Sequence, residues 1–512
     1  MLVYACNSLV MLKKLNEQVC PAVFYPSAII SIFVVVFSVA FTDLASSAIS
    51  WLNINLVSQL GWFYIISMSV FFIAILYILF TTKGSIRLGA PDSKPEFSTI
   101  TWFTMLFSAG MGIGLLFYGV AEPVMHYTSP APPISSDLAG SILAAHNAMG
   151  LTFFHWGFHP WACYTLVGLA LAYFAYCKGF PLSIRSILYP VFGDKIYGPI
   201  GHIIDTVAVI STIFGVATSL GLGAMQINAG LNFVFGISES TNIQVVVILL
   251  ITLIAIVSVV SGVNKGIRYL SEFNIGLATI LLISILLLGP TVFLLNSFVE
   301  NIGIYLQKLP QNSFWTAAHN PDRQSWLSGW TVFYWAWWIA WSPFVGMFLA
   351  RISKGRTIRE FILGVLFVPV LMTLFWFTIF GGSAIYFEAN GILNMQEAIS
   401  NSVPGALFYF FEAFPISDIL KIIALICIVL FFVTSSDSAS LVIDIISSGG
   451  KVKLNNKLKV FWASLEGLIA AALLIAGDLL AIQTASITAA FAFTIILWLA
   501  CYGLIKTLRK AS

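Results

Sequence analysis

Apolar residues in this chain run in long blocks, not in the alternation of a half-buried strand or the narrow stripe of a surface helix. Blocks of ~17–25 residues bounded by polar, Gly or Pro breaks are the length at which a helix crosses a bilayer. They predict spans near 23–42, 60–81, 100–119, 141–175, 200–231, 243–261, 269–298, 329–350, 360–384, 405–436, 457–477 and 483–505, twelve in all. With the N-terminus placed in the cytoplasm, 21 of the 24 Lys and Arg fall in cytoplasmic segments, and only Lys308, Arg323 and Lys421 do not. That bias is the positive-inside signature, and it predicts a multi-pass protein with both termini cytoplasmic.

Composition narrows the class. Of 512 residues, 59% are hydrophobic and 9% charged, against roughly 25% charged in a soluble domain, so a soluble enzyme or a nucleic-acid binder is excluded. The six cysteines are scattered without paired spacing and read as packing residues. The run after Lys13 and Lys14 is too long for a signal sequence. The expected organisation is a short N-tail at 1–22, two peripheral spans and a loop at 23–99, a first repeat at 100–298, an interfacial connection at 299–328, a second repeat at 329–505 and a C-tail at 506–512.

Three spans break their own pattern. The third places Gly110, Gly112 and Gly114 within five residues at membrane depth, where each glycine weakens a helix by up to ~1 kcal/mol, so unwound backbone is expected. Gly110 and Gly114 also form a small-xxx-small packing pair. The eighth holds five tryptophans and is expected to be interrupted by Pro343 and Gly346. At about 100° per residue Trp337, Trp338 and Trp341 share one face. They lie mid-span, away from the interfacial belt where tryptophan usually collects. The fourth span, expected to bend at Pro160, carries Trp156, Trp161 and Tyr164.

None of these three segments contains Asp, Glu, Lys or Arg. Two aromatic faces without a fixed charge can form a cage, which is what a quaternary ammonium group requires, since it has no N–H and is held by ring faces. A zwitterionic betaine suits such a pocket better than a bare cation, because it brings its own counter-charge into the membrane.

In the tenth span Thr434 and Ser435 offer hydroxyls for a hard monovalent cation, or else back-bond within their helix. Asp437 is read as capping or solvating the end of that span. His155 and His159, four apart, raise the alternative of a bis-histidine redox protein, whereas His126, His146, His202 and His319 form no constellation in the sequence. No transition-metal site and no catalytic residue are expected. Interruptions in the third and eighth spans, five apart, fit two five-span inverted repeats.

At these residues the chain resembles the betaine/carnitine/choline transporter family. The matching segments are AGMGIG at 109–114, EPVMHY at 122–127, HWGFHPWACY at 155–164, FGVATSLGLG at 214–223, FYWAWWIAWSPFVGMFLARIS at 333–353 and TSSDSAS at 434–440. The resemblance implies an all-α secondary transporter of the bacterial inner membrane, commonly a homotrimer, with a leucine-transporter-type core of two inverted five-helix repeats plus two N-terminal helices. It implies a cage of Trp156, Trp161, Tyr164 and Trp338, with Trp337 and Trp341 lining the approach and Met111 bordering it. It also implies one sodium held by backbone oxygens of Ser108, Met111 and Phe431 and the hydroxyls of Thr434 and Ser435.

The family's other sodium site maps to Thr212 near Phe344, but Val216 replaces the second hydroxyl there. Gly114 stands where choline-carrying members often have an acidic residue, which favours a betaine. The short tails lead to the expectation of weak osmotic activation. The function expected is sodium-coupled import of glycine betaine or a relative, with a small quaternary ammonium substrate and the lipid bilayer as partners and no nucleic acid. Proton-coupled choline import and carnitine/betaine exchange are the alternatives.

Overall fold

A computed structural model describes residues 17–110, 112–131, 136–260, 264–320, 323–451 and 456–511; side chains at 56–58, 107–110, 259–260 and 264–269 fall outside that description. The described chain is almost wholly helical, and ten helices are long and apolar enough to cross a membrane. The principal helices are α1 (Pro21–Ala40), α2 (Thr42–Leu52), α3 (Ser58–Phe80), α4 (Thr99–Gly110) and α5 (Ile113–Thr128). They continue as α6 (Ile142–Trp156), α7 (Phe158–Ala172), α8 (Pro199–Phe235), α9 (Thr241–Val260) and α10 (Asn264–Leu288). The remainder are α11 (Thr291–Ser313), α12 (Phe333–Ile352), α13 (Ile358–Phe377), α14 (Ser417–Ser447) and α15 (Asn456–Lys510).

Two of these features reconcile ten long helices with twelve crossings. The third span is shared between α4 and α5, each too short to cross alone. The last helix, α15, is two arms meeting at Gly477 and Asp478, where the backbone leaves helical geometry.

The bundle has a basic end. Arg87 donates to the Gly355 carbonyl at 2.9 Å, Lys506 to that of Pro190 at 3.2 Å and Lys451 to that of Glu17 at 3.0 Å. Lys83 reaches the carbonyl of Ala511. The connections following the second, fourth, eighth and tenth spans therefore meet the chain ends on one side, as an even count of crossings requires. Lipid-facing positions such as Phe33, Phe80, Leu253, Val257 and Leu287 are exposed, an apolar surface far larger than a water-soluble monomer carries.

Several boundaries differ from the sequence expectation, each for a physical reason. The seventh span ends at Leu288, ten residues early, because Gly289 and Pro290 stop the helix; the connection then forms α11. The fourth span turns at Gly157 instead of Pro160. A Cβ at 157 would lie 2.5 Å from the Tyr305 hydroxyl and 2.4 Å from the Phe153 carbonyl. Pro160 sits in the first turn of α7, where its missing N–H costs nothing.

The eighth span is not broken at Pro343. Proline deprives the Ile339 carbonyl of its helical donor, and the Ser342 hydroxyl donates to that carbonyl instead at 2.7 Å. The tenth span runs on to Ser447, so Asp437 is a buried mid-helix residue and does not cap an end.

Candidate substrate site

The predicted break in the third span is present. Gly112 is fully extended (φ −149°, ψ −179°) and α5 begins at Ile113 without a side-chain cap. The N–H of Leu115 donates to the Gly112 carbonyl at 3.1 Å, while those of Ile113 and Gly114 have no backbone partner among the described residues and carry the positive end of the helix dipole. They face a cavity of about 50 Å³ lined by Gly112, Ile113 and Gly114 together with the rings of Trp156, Trp161, Tyr164, Trp337, Trp338 and Trp341. Every aromatic residue expected to form or approach the cage thus converges on one cavity. Met111 and the side chain of Ser108 lie outside the described residues.

The rings are held against each other. Trp337 and Trp338 stack with centroids 4.7 Å apart, Trp156 meets Trp338 edge to face at 4.9 Å, and Trp161 stands at 90° to Tyr164 at 5.6 Å. Gly114 makes this closeness possible: a Cβ there would come within 2.7 Å of Trp156 and 2.9 Å of Trp337. Two buried polar atoms on cavity-lining residues, the Trp337 indole nitrogen and the Ser219 hydroxyl, have no hydrogen-bond partner among the described residues.

One residue without a role in the sequence reading organises the cage. Glu122 lies three positions beyond the end of the uncharged third-span segment and is fully buried. One carboxylate oxygen accepts from the Trp156 indole N–H at 2.7 Å and the Tyr334 hydroxyl at 2.5 Å. The other pairs with His155 Nδ1 at 2.7 Å. The His155 carbonyl in turn accepts from the Trp338 indole N–H at 3.0 Å. Two cage rings are therefore anchored through a single carboxylate and its histidine, and this acidic group stands behind the rings, outside the residues that line the cavity. Its buried match, EPVMHY, was visible in the sequence, but its reach to Trp156 depends on how α5 packs against α6.

The histidines also differ from expectation. His126 joins Glu122 and His155, with one ligand-type atom from each within 4.8 Å of the others, so a constellation does form. His155 Nε2 meets the Thr331 hydroxyl at 2.9 Å, and His159 meets Ser313 at 3.1 Å while stacking on Trp335. The two histidines of the redox alternative are thus bound to separate partners.

On α14, the Thr434 hydroxyl donates to the Leu430 carbonyl at 2.8 Å, which leaves its oxygen lone pairs available, and lies 3.3 Å from the Phe431 carbonyl. Thr434 and Ser435 are half-buried. Thr212 is buried and bonded to the Ala208 carbonyl at 2.8 Å. Trp341 links its neighbourhood to Phe344: its indole donates to the Gly215 carbonyl at 2.7 Å and its ring meets Phe344 at 5.4 Å. Val216, beside them, is fully buried and adds no oxygen. The described cysteines are all free, as expected of packing residues.

Comparison with known proteins bears on the whole chain. A glycine betaine transporter of Bacillus subtilis is 45% identical over 450 residues, covering 88% of this chain and 87% of the relative. A glycine betaine/proline/choline transporter of Vibrio parahaemolyticus is 42% identical, covering 95% and 89%. An uncharacterized transporter of Mycobacterium tuberculosis is 48% identical, covering 96% and 83%. Among solved structures, a Na+-coupled sialic acid symporter in a substrate-bound outward-open state aligns over 82% of this chain and 80% of its own, with 15% identity and a TM-score of 0.42. The profile described as betaine/carnitine/choline family transporter matches residues 22–512, and the chain is a member of that transporter family.

Proposed function

We propose that this protein imports a zwitterionic quaternary ammonium compound of the glycine betaine type by sodium symport. The observation that carries the reading is the two-sided cavity. Ring faces suit a trimethylammonium group at ~0.5–2 kcal/mol per contact. Across from them, the free N–H groups at the start of α5 suit a carboxylate, as at other broken membrane helices. The unpartnered indole N–H of Trp337 adds a donor for that carboxylate. Choline has no anion to place at the helix terminus, and the positive end of the dipole disfavours a bare cation there. Glu122, behind the Trp156 ring, is the one feature that favours choline, and competition between the two substrates separates these readings.

Sodium would be held by the Phe431 carbonyl and the Thr434 and Ser435 hydroxyls, with Ser108 and Met111 completing the shell. Ion and substrate then favour the same arrangement of the broken third span, and each strengthens the binding of the other. Thr212 lacks a second hydroxyl one turn on, so coupling through one sodium is the simpler reading. The positive-inside rule puts the basic end, with both chain ends, in the cytoplasm of a bacterial inner-membrane protein. A homotrimer follows by family likeness alone.

The test is uptake of labelled glycine betaine into proteoliposomes under a sodium gradient, against an equal potassium gradient. Concentrative, sodium-dependent uptake is expected, and Thr434→Ala with Ser435→Ala should remove the sodium dependence. Uptake driven equally well by a pH gradient without sodium would replace the symport reading with a proton-coupled one.

A further inference from the structure

A second fully buried carboxylate, Glu466, lies on the first arm of α15, outside the site described above. Among the described residues its hydrogen-bond partners are hydroxyls alone. Ser436 Oγ lies 3.3 Å from Oε2, and Ser440 Oγ lies 3.3 Å from Oε1 and 3.4 Å from Oε2. Among the described residues no Lys, Arg or His is within ion-pair distance of it. A serine hydroxyl has one hydrogen, and that of Ser440 is within reach of the Ser436 carbonyl at 2.8 Å and of Glu466 at 3.3 and 3.4 Å. With that hydrogen on the nearer Ser436 carbonyl, Ser440 accepts from a protonated Glu466. Ionised, Glu466 would have only these two distant hydroxyls, in surroundings where an unpaired charge costs ~3 kcal/mol or more.

We propose that Glu466, Ser436 and Ser440 form an exchangeable proton-binding site. The proton rests on a Glu466 oxygen and is shared with Ser440. On release it passes to water at the basic end of the bundle, leaving a carboxylate, and it returns by the same route. That route is built into α14, where Ser436, Ser440, Asp444 and Ser447 recur on one face at helical spacing and all are buried. Asp444 has one oxygen without a partner among the described residues and the other 3.4 Å from Ser448, in the last residues before the Lys451 loop. It is the relay between Glu466 and solvent.

The other groups facing this cluster are few. Asp437 on α14 contacts Ser258 of α9 at 3.5 Å. Lys459, on α15 itself, attracts both Asp437 and Asp444. From α9, the buried Thr252 hydroxyl abuts Gly467. On α10 the one charged residue with a described side chain, Glu272, is exposed; on α8 Asp205 is bonded to Arg185; α1 carries none. Ser436 directly follows Ser435, so a cation at the proposed sodium position lies on the order of 10 Å from the Glu466 carboxyl. A cation there favours loss of the proton, and by reciprocity the proton weakens cation binding.

Infrared difference spectroscopy of the purified full-length protein, wild type minus Glu466→Gln, tests this without any substrate, so it stands apart from the betaine reading. Glutamine keeps the size and supplies an N–H for Ser440, so the fold is retained. A protonated carboxyl band at neutral pH, fading as pH is raised, is expected. Ser440→Ala should shift that band to higher frequency, since the acceptor is gone. Asp444→Asn should slow its exchange in heavy water by at least about tenfold. Absence of the band at neutral pH, or a band indifferent to pH throughout the folded range, would overturn the site. An unshifted band in Ser440→Ala would overturn the bond to Ser440, and wild-type exchange in Asp444→Asn would overturn the route.

Discussion

Two membrane spans here carry residues that disrupt helices, and they respond in opposite ways. In the third, a glycine series opens the backbone at Gly112. In the eighth, Pro343 leaves the helix continuous. The difference lies in what happens to the backbone groups set free. In hydrocarbon each needs a partner. The eighth span supplies one from within, through the Ser342 hydroxyl on the Ile339 carbonyl, and so stays rigid enough to hold Trp337, Trp338 and Trp341 as a fixed wall. The third span has no side chain to close its break, so the N–H groups of α5 remain for a ligand. One wall of the cavity is thus exposed backbone and the other is indole, which is how a site without a charged side chain in contact distance can take a zwitterion.

The largest effect is expected where the two walls touch. Gly114→Val puts methyl groups where even a Cβ meets Trp156 and Trp337. Uptake should fall by about 100-fold through overpacking of ~3 kcal/mol, with the helical content unchanged by circular dichroism. Near-normal uptake would show that the rings are not fixed against the broken span.

Next comes the ring wall itself. Trp156→Ala or Trp338→Ala should raise KM about tenfold, from the loss of one or two ring contacts, with a smaller change in kcat. An unchanged KM would remove the cage from the account. Glu122→Gln keeps the volume but presents an amide N–H₂ where the carboxylate accepted from Trp156, Tyr334 and His155. Either His155 takes the other tautomer or one donor faces another, at ~1–3 kcal/mol, and KM should rise about fivefold as the rings loosen. The smallest effect is expected from Ser342→Ala, which strips the Ile339 carbonyl of its replacement donor. Thermal stability should drop by about 1 kcal/mol with KM little altered. A large KM change would mean that the eighth span is less rigid than the comparison holds.

Much of this was legible in the chain. Span number and type follow from apolar run length and the Lys/Arg bias, because lipid leaves a helix no alternative. The cage rings were legible because tryptophans at mid-span are too costly to be incidental. The glycine break was legible because Gly112, between the packing pair Gly110 and Gly114, weakens the helix further at the same point. Less could be read where an outcome rests on a tertiary partner. Pro160 and Gly157 both suggest a bend, and the close approach of Tyr305 decides for Gly157. Pro343 suggests a break, and one hydroxyl prevents it. Glu122 stands just outside the aromatic segments, so nothing in its own sequence position shows that it gathers Trp156, Tyr334 and His155. The end of α14 was missed because the Ser-rich stretch after Thr434 looks like a boundary, yet it is buried by α15.

The most direct test of the two-sided cavity is a tryptophan-fluorescence titration of the purified protein with glycine betaine, choline and acetate. Saturable quenching by glycine betaine, with choline and acetate each far weaker, is expected, since each of those two satisfies only one wall. Choline quenching with the same midpoint as glycine betaine would contradict the account, because it would mean that the exposed backbone of the third span takes no part in binding.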